Sequence, residues 1–261
     1  MKKFEPIDSS ADLKAKWQNQ ILIIFFAFVL IAVVGLNLNS IVSAYRVFTY
    51  DSMIDELRDY KNKNGIESLK NINSNFVAWV SIEDLGIDLP VVATNSTTDE
   101  DFYLTHDFKH RNNPLGSPYQ KHDTQIGQTT NTQFIGHSVF NSTMFYSKKQ
   151  SYVFGDLKKY TQQNSTYNHK IVVQTATQTY TFVVFSVIEF DSRDVTSKVS
   201  NIYNTSNISS QSQFDTFYSD AMELSCVKLN QTAEYGDKFL TMFTCSEDDL
   251  SHRIMVIAKQ I

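Results

Sequence analysis

Acyl transfer by side chains alone needs a nucleophile, a proton carrier and a donor for the developing oxyanion. Cys245 ends an apolar run, residues 239–244 (FLTMFT), and precedes a polar loop, residues 246–252. A thiol at a strand end beside a loop is placed to meet substrate. Arg253 opens the next apolar run eight residues on. If the two runs pair through that loop, thiol and guanidinium share one end of a sheet. His137 follows residues 132–136 (TQFIG), another short strand that ends in Gly-His. Each residue also has a plain structural reading: a buried core thiol, a surface cation, a surface loop histidine. Spacing alone does not choose between these.

Other chemistries are less well supplied. His106 and His110 stand at i, i+4 with Asp107 between them, a spacing that raises zinc. The following NNPLG is loop-like and a third ligand, His122 for instance, is not convincingly placed, so no metal is expected. Two cysteines, Cys226 and Cys245, are too few for a disulfide-stapled scaffold or a four-cysteine zinc module. The net charge of −5 over 261 residues argues against a nucleic-acid partner. With 42% hydrophobic and 20% charged residues, the chain has ample material for a packed core.

These candidates need elements to position them, and a compartment. No charged residue occurs from Gln18 to Tyr45, and residues 21–36 (ILIIFFAFVLIAVVGL) carry no polar side chain. With Asn37 and Leu38 the stretch approaches the roughly 20 residues that cross a bilayer. It is longer than the apolar region of a cleaved signal peptide, and Val42-Ser43-Ala44 is a poor cleavage site. Lys2, Lys3, Lys14 and Lys16 precede the span and only Arg46 closely follows it, so the N-terminus is expected inside and the rest outside. Outside the cytoplasm a Cys226–Cys245 disulfide is chemically open, which keeps a non-catalytic anchored binding domain as a competing reading.

Beyond the span, residues 51–63 place Met53, Leu57 and Tyr60 on one stripe of an amphipathic helix. Short β-rich runs follow at 76–82, 87–92, 116–120, 132–135, 170–175, 180–190, 239–244 and 254–258, the first two joined by a turn at Asp84-Leu85-Gly86. The run 180–190 (YTFVVFSVIEF) is apolar on both faces, as a central strand would be. Helices are expected at 154–160 and 212–224, the latter with Phe214, Phe217, Tyr218 and Ala221 on one stripe and a Ser212–Asp215 cap. The polar stretch 192–212 reads as a long loop. About eight strands with helices in the connections predict a mainly β, closed or nearly closed mixed barrel.

With these residues in view, the chain resembles the sortases, class B in particular. The resemblance is carried by NFVAWV (75–80), IDLPVV (87–92), YLTHDF (103–108) and NPLGS (113–117). It continues in FIGH (134–137), TMF (143–145), DLKKY (156–160), FTC (243–245) and Arg253. One departure stands out: class B members often have Ser-Thr-Cys at the nucleophile, and Phe243 takes the serine position here. The resemblance implies a sortase-like closed β-barrel with an N-terminal helix and a helix before the nucleophile strand. It divides the chain into a cytoplasmic tail (1–20), a transmembrane signal-anchor (21–38), a juxtamembrane helical segment (39–70) and a catalytic domain (71–261).

It also implies a cysteine transpeptidase. Cys245 would attack a carbonyl in the C-terminal sorting signal of a secreted protein and form a thioester. His137 would move protons and Arg253 would hold the oxyanion, with Glu247, Asp248 or Asp249 as candidates to orient His137. No cofactor is required. The partners are secreted proteins with a sorting signal and an amine acceptor, either cell-wall precursor or a pilin lysine; class B favours wall anchoring. A papain-like protease has Cys before His, whereas here His137 precedes Cys245.

Overall fold

The computed structural model describes residues 10–94, 101–141, 150–162, 168–245 and 251–261. The expected motif TMF (143–145) and the acidic residues Glu247, Asp248 and Asp249 lie outside the described residues. The chain divides into two units, Met1–Tyr45 and Arg46–Ile261. In the first, Lys16–Leu38 is long and apolar enough to cross a membrane, with a mean hydropathy of 3.0 and no part buried within the protein.

Helix α1 runs from Ser10 to Asn64 and so includes the amphipathic stripe expected at 51–63. Residues 39–50 contain neither proline nor glycine, so nothing in them ends a helix. Within the second unit α1 buries Val47, Tyr50, Ile54 and Leu57, together with Met53, against the core. Arg58 Nε donates to Asp88 Oδ2 at 2.6 Å and so ties the helix to a strand of the barrel.

Among the described residues the remaining elements are β1 (Phe76–Ile82), β2 (Ile87–Ala93), α2 (Phe102–Thr105), β3 (Tyr119–Gln120), β4 (Asn131–Ile135), β5 (Ser138–Asn141) and β6 (Gln150–Val153). They continue with β7 (Lys170–Gln174), β8 (Thr179–Asp191), α3 (Ser197–Asn204), α4 (Gln211–Leu224), β9 (Phe239–Cys245) and β10 (His252–Gln260). Eight strands close into a barrel in the order β1, β2, β3, β4, β9, β10, β8, β7, while β5 and β6 form a separate hairpin. The β2–β3 and β4–β9 pairs are parallel and the other ladders antiparallel, so the barrel is of the mixed type predicted. β10 is flanked by β8 and β9 along nearly its whole length, and its residues 254–258 are all buried. Pro90 sits in β2 where β3, paired only at Val92 and Ala93, does not reach, so its missing N–H costs no second ladder bond.

Several elements differ from the sequence reading. The stretch 192–212 is not one long loop: it holds α3, whose Thr196 cap accepts from Val199 N at 3.3 Å. Only Val199, Ile202 and Tyr203 carry its helical spacing, too few to stand out in a polar stretch. The cap of α4 is Ser210, not Ser212: its Oγ accepts from Gln213 N at 3.2 Å, and Gln213 Oε1 accepts from Ser209 N at 2.7 Å. This is a variant of the capping box, with the return bond to the residue before the cap, and it starts two residues earlier than expected. The expected helix at 154–160 is a 3-10 helix, Gly155–Thr161. The strand at 116–120 shrinks to its last two residues, because the backbone before them folds onto α2.

Candidate active site

Two ladders position the candidate residues. In the antiparallel β9–β10 pair, Cys245 stands directly opposite Arg253 and Thr244 opposite Ile254. Opposed residues of such a pair have Cα atoms roughly 4.5–5.5 Å apart. On its other side β9 runs parallel to β4, with Ile135 opposite Phe243. Gly136 N donates to Phe243 O at 3.1 Å and carries that ladder one step further. The same register, continued two residues past Ile135, brings His137 to the level of Cys245. The end of β9 at Cys245 is thus flanked by Arg253 of β10 on one side and, on the other, by the segment just after β4 that carries His137. Of Cys245 the structure describes the backbone.

His137 is half-buried, and its Nε2 lies 2.8 Å from the carbonyl oxygen of Leu104. A carbonyl only accepts, so Nε2 is the protonated nitrogen and Nδ1 is the one left for proton transfer. Gly116 places that carbonyl. It has φ of +64°, and a Cβ there would meet Tyr103 O at 2.4 Å and Leu104 O at 2.9 Å. Ser117 N then donates to Tyr103 O at 2.8 Å, folding the loop back on α2. Gly136 is as confined, since a Cβ would lie 2.8 Å from the Phe154 ring and 3.0 Å from Val153. Arg253 Nη1 donates to His252 O at 3.0 Å.

His137 and Arg253 line one cleft of about 490 Å³ together with Phe243 and Thr244. Its walls are largely apolar, from Ile135, Phe190, Val199 and Tyr203 among others. Helix α3 supplies one wall, and neither it nor the Leu104 carbonyl was found from the sequence. The i, i+3, i+4 spacing of Val199, Ile202 and Tyr203 is the signal that could have revealed α3. A backbone acceptor leaves no residue signature.

The histidines considered for zinc are engaged elsewhere. His106 Nδ1 lies 3.0 Å from Phe102 O and its ring stacks on Phe102. His110 Nε2 lies 2.9 Å from the Tyr103 hydroxyl, which also accepts from the amides of Asn73 and Asn75. Among the described residues no group of three or more His, Cys, Asp or Glu side chains is placed to hold a metal ion.

The Cys226–Cys245 disulfide kept open by the sequence is not formed. Cys226 is a half-buried thiol, pushed up from its ordinary pKa by burial and by the charge of Glu189. Its N–H donates to Val187 O on β8. Val187 aligns through Val256 with Met242, three residues before Cys245 and two strands away. Two strand spacings and three residues of rise are each roughly 10 Å, beyond the roughly 7 Å limit for bridging two cysteines.

A family model of the sortase domain matches residues 80–261. The chain belongs to the sortase family. Curated relatives include sortase B of Staphylococcus aureus, 24% identical over 199 residues, which cover 75% of this chain and 74% of that protein. Sortase B of Listeria monocytogenes is 25% identical over 206 residues, covering 78% and 72%. A solved Staphylococcus aureus sortase B–substrate complex superposes with a TM-score of 0.66 at 20% identity, covering 84% of this chain and 97% of the other. These relatives agree with the class B likeness of the motifs. Against that likeness, the Phe243 of this sortase is a structural feature as well as a sequence departure: it is 7% exposed and packs edge-to-face on Tyr203 at 5.0 Å.

Proposed function

We propose that this sortase is a cysteine transpeptidase that anchors secreted proteins to the cell wall, with Cys245, His137 and Arg253 as its catalytic residues. The observation that carries the reading is the strand register, in which the β9 position of Cys245 is flanked by Arg253 and by the continuation of β4 to His137. Cys245, as thiolate, attacks the scissile carbonyl of a C-terminal sorting signal, and its sulfur–carbon bond forms as the carbonyl oxygen takes negative charge. Arg253 donates to that oxyanion, a contact of a kind worth roughly 10²–10³ in rate. When the tetrahedral intermediate collapses, the carbon–nitrogen bond breaks and the leaving amine takes a proton from His137 Nδ1. The acyl group then rests on Cys245 as a thioester. An incoming amine gives a proton back to Nδ1 as it attacks, and the thiolate departs. The apolar helix Lys16–Leu38 serves as membrane anchor, with the N-terminus inside and the barrel outside.

The test is the intact mass of the full-length chain after incubation with a panel of sorting-signal peptides, beside Cys245→Ala. A peptide-specific mass gain, absent from the variant and discharged by added triglycine, is the expected result. Peptide cleavage that survives in Cys245→Ala, or no acyl adduct with any peptide, would overturn the assignment. Discharge by a pilin lysine peptide but not by wall-type amines would replace wall anchoring with pilin polymerisation.

A further inference from the structure

We infer that the cavity between α1 and the start of β2 binds a primary ammonium on an alkyl stem, at a site separate from the catalytic cleft. The inference goes beyond the transpeptidase reading and does not depend on it.

The cavity, of about 330 Å³, is bounded by α1, by residues 85–89 and by Val153 and Asp156. It shares no described lining residue with the cleft that holds His137 and Arg253. Four carboxylates line it, Asp51, Asp55, Asp88 and Asp156, against one cation, Arg58. That guanidinium is spent: Nη1 donates to Asp55 Oδ1 and Nε to Asp88 Oδ2, both at 2.6 Å. Asp156 pairs with Lys159 at 2.9 Å.

Asp51 is left over. It is half-buried and has neither ion pair nor hydrogen bond among the described residues. Beside it in the chain, Tyr50 is 2% exposed and lines the same cavity. Its hydroxyl also meets no hydrogen-bond partner among the described residues. A carboxylate and a hydroxyl drawn from water without partners cost free energy that an entering donor returns. Burial, and then the charge of Asp55, accordingly push the Asp51 pKa up to about 6.

The layout of the charge selects the guest. No three of these carboxylates are placed to hold a metal ion, so a bare divalent cation is not matched. An ammonium brings three donors for Asp51 and the Tyr50 hydroxyl. Its stem meets the apolar wall formed by Ile54, Leu85 and Leu89, all buried. Ligand sites typically span roughly 300–1,000 Å³, so this one has room for a single side chain and not for a folded segment. A lysine side chain and a free diamine both offer that chemistry.

The experiment titrates the full-length chain, in non-ionic detergent micelles at about pH 7.5, with three probes. They are cadaverine, Nα-acetyl-lysine amide and Nα-acetyl-norleucine amide, the last being lysine without its ammonium. Saturation-transfer NMR reads the binding. Both amines should bind, with the norleucine amide weaker by about tenfold or more. Tighter binding of the lysine amide would assign the site to a protein partner, and of cadaverine to a free diamine; either result supports an ammonium site. Asp51→Asn keeps the size of the side chain and removes its charge, and should weaken the amines about tenfold or more. Tyr50→Phe should weaken them about threefold. The norleucine comparison uses the unmutated chain and needs no variant to fold. Norleucine amide bound as tightly as lysine amide, amine binding unchanged in Asp51→Asn, or no binding of either amine would overturn the inference. Acyl transfer by Asp51→Asn should stay within about twofold of the unmutated chain. Transfer and amine binding lost together would place the amine in the catalytic cleft, and so would also overturn it. Amine binding without acyl transfer by any chain sinks the transpeptidase reading alone.

Discussion

Because a carbonyl oxygen cannot donate, the 2.8 Å contact from Leu104 O to His137 Nε2 decides which nitrogen of the neutral imidazole carries the proton. Two-dimensional ¹⁵N–¹H spectra of the neutral ring should therefore show the Nε2–H tautomer; a dominant Nδ1–H pattern would break the mechanism drawn above. The same contact makes a glycine outside the cleft matter. Gly116→Ala puts a Cβ 2.4 Å from Tyr103 O in a left-handed conformation, so either the loop or the two carbonyls of α2 must move. We expect a loss of about 2 kcal/mol or more in stability. We also expect kcat/KM to fall about tenfold or more, with mixed His137 tautomers in the spectra. Unaltered tautomers with full activity would show that the carbonyl is held by something else. That Cys245, Arg253 and His137 fall at the ends or starts of apolar runs was legible in the sequence, but the roles proposed for them came from the motif resemblance and not from spacing. The Leu104 carbonyl was not legible, since every residue but its orientation is shared by all backbones; the Gly in NPLGS was its sole trace.

Helix α3 is held against the barrel by its C-terminal carbonyls. Gln133 Nε2 donates to Tyr203 O at 3.0 Å and to Thr205 O at 3.2 Å, and Asn131 Nδ2 donates to Thr205 O at 2.8 Å. Lys121, 5% exposed, adds its ammonium to Tyr203 O at 3.2 Å, as suits a cation at a helix C-terminus. Its countercharge is Asp123, which also accepts from Ser206 Oγ at 2.7 Å. Burial alone would raise the pKa of Asp123, but the bonds from Ser206 and Lys121 outweigh it and hold the carboxyl below its ordinary value. Lys121 thus acts on the cleft through Tyr203, and a positioning role should appear in KM. For Lys121→Met we expect KM to rise about tenfold with kcat within about threefold, and Lys121→Arg to recover part of the loss. A fall in kcat at constant KM would mean that the clamp governs something other than the cleft wall. The barrel strands were legible because their apolar alternation spans most of each strand. α3 was not, because two buried residues in eight, Val199 and Ile202, do not outweigh the polar composition around them.

Closure of the barrel could be inferred from the number and spacing of strands, but the way α1 fastens to it could not, because that contact joins residues 30 apart through a charge pair. Asp88 accepts from Trp79 Nε1 at 2.5 Å, Ser81 Oγ at 2.7 Å and Arg58 Nε at 2.6 Å. Against the opposing effect of burial, these bonds and the charge of Lys61 hold its pKa below the ordinary value. Asp88→Ala strands the Trp79 indole N–H and leaves Arg58 with Asp55 as its carboxylate partner, and should cost about 2–3 kcal/mol. That corresponds to a melting temperature lower by about 4–12 °C. A smaller loss would show that α1 is held by its apolar stripe alone. Across the same helix–strand junction, Asp51 behaves oppositely. It lines a polar cavity of about 330 Å³ with Asp55, Arg58 and Asp88. Burial first, and then the charge of Asp55, push its pKa from 3.8 up to about 6. The folded protein therefore holds a proton on Asp51 that the unfolded chain releases, so this group's contribution to stability falls as pH rises from about 4 to about 6 and is level above that. Asp88 works in the other direction, stabilising above its ordinary pKa and losing that contribution as pH falls. Asp51→Asn removes the penalty without changing the size of the side chain. Since solvent reaches this half-buried carboxylate and screens it, the gain at pH 7.5 should be on the order of 1 kcal/mol. It should appear as a melting temperature raised by about 2–4 °C, and the gain should vanish by pH 4. Thermal melts of the full-length chain and of Asp51→Asn across pH 4–8 check this; a gain independent of pH would place the effect in packing and not in the charge of Asp51.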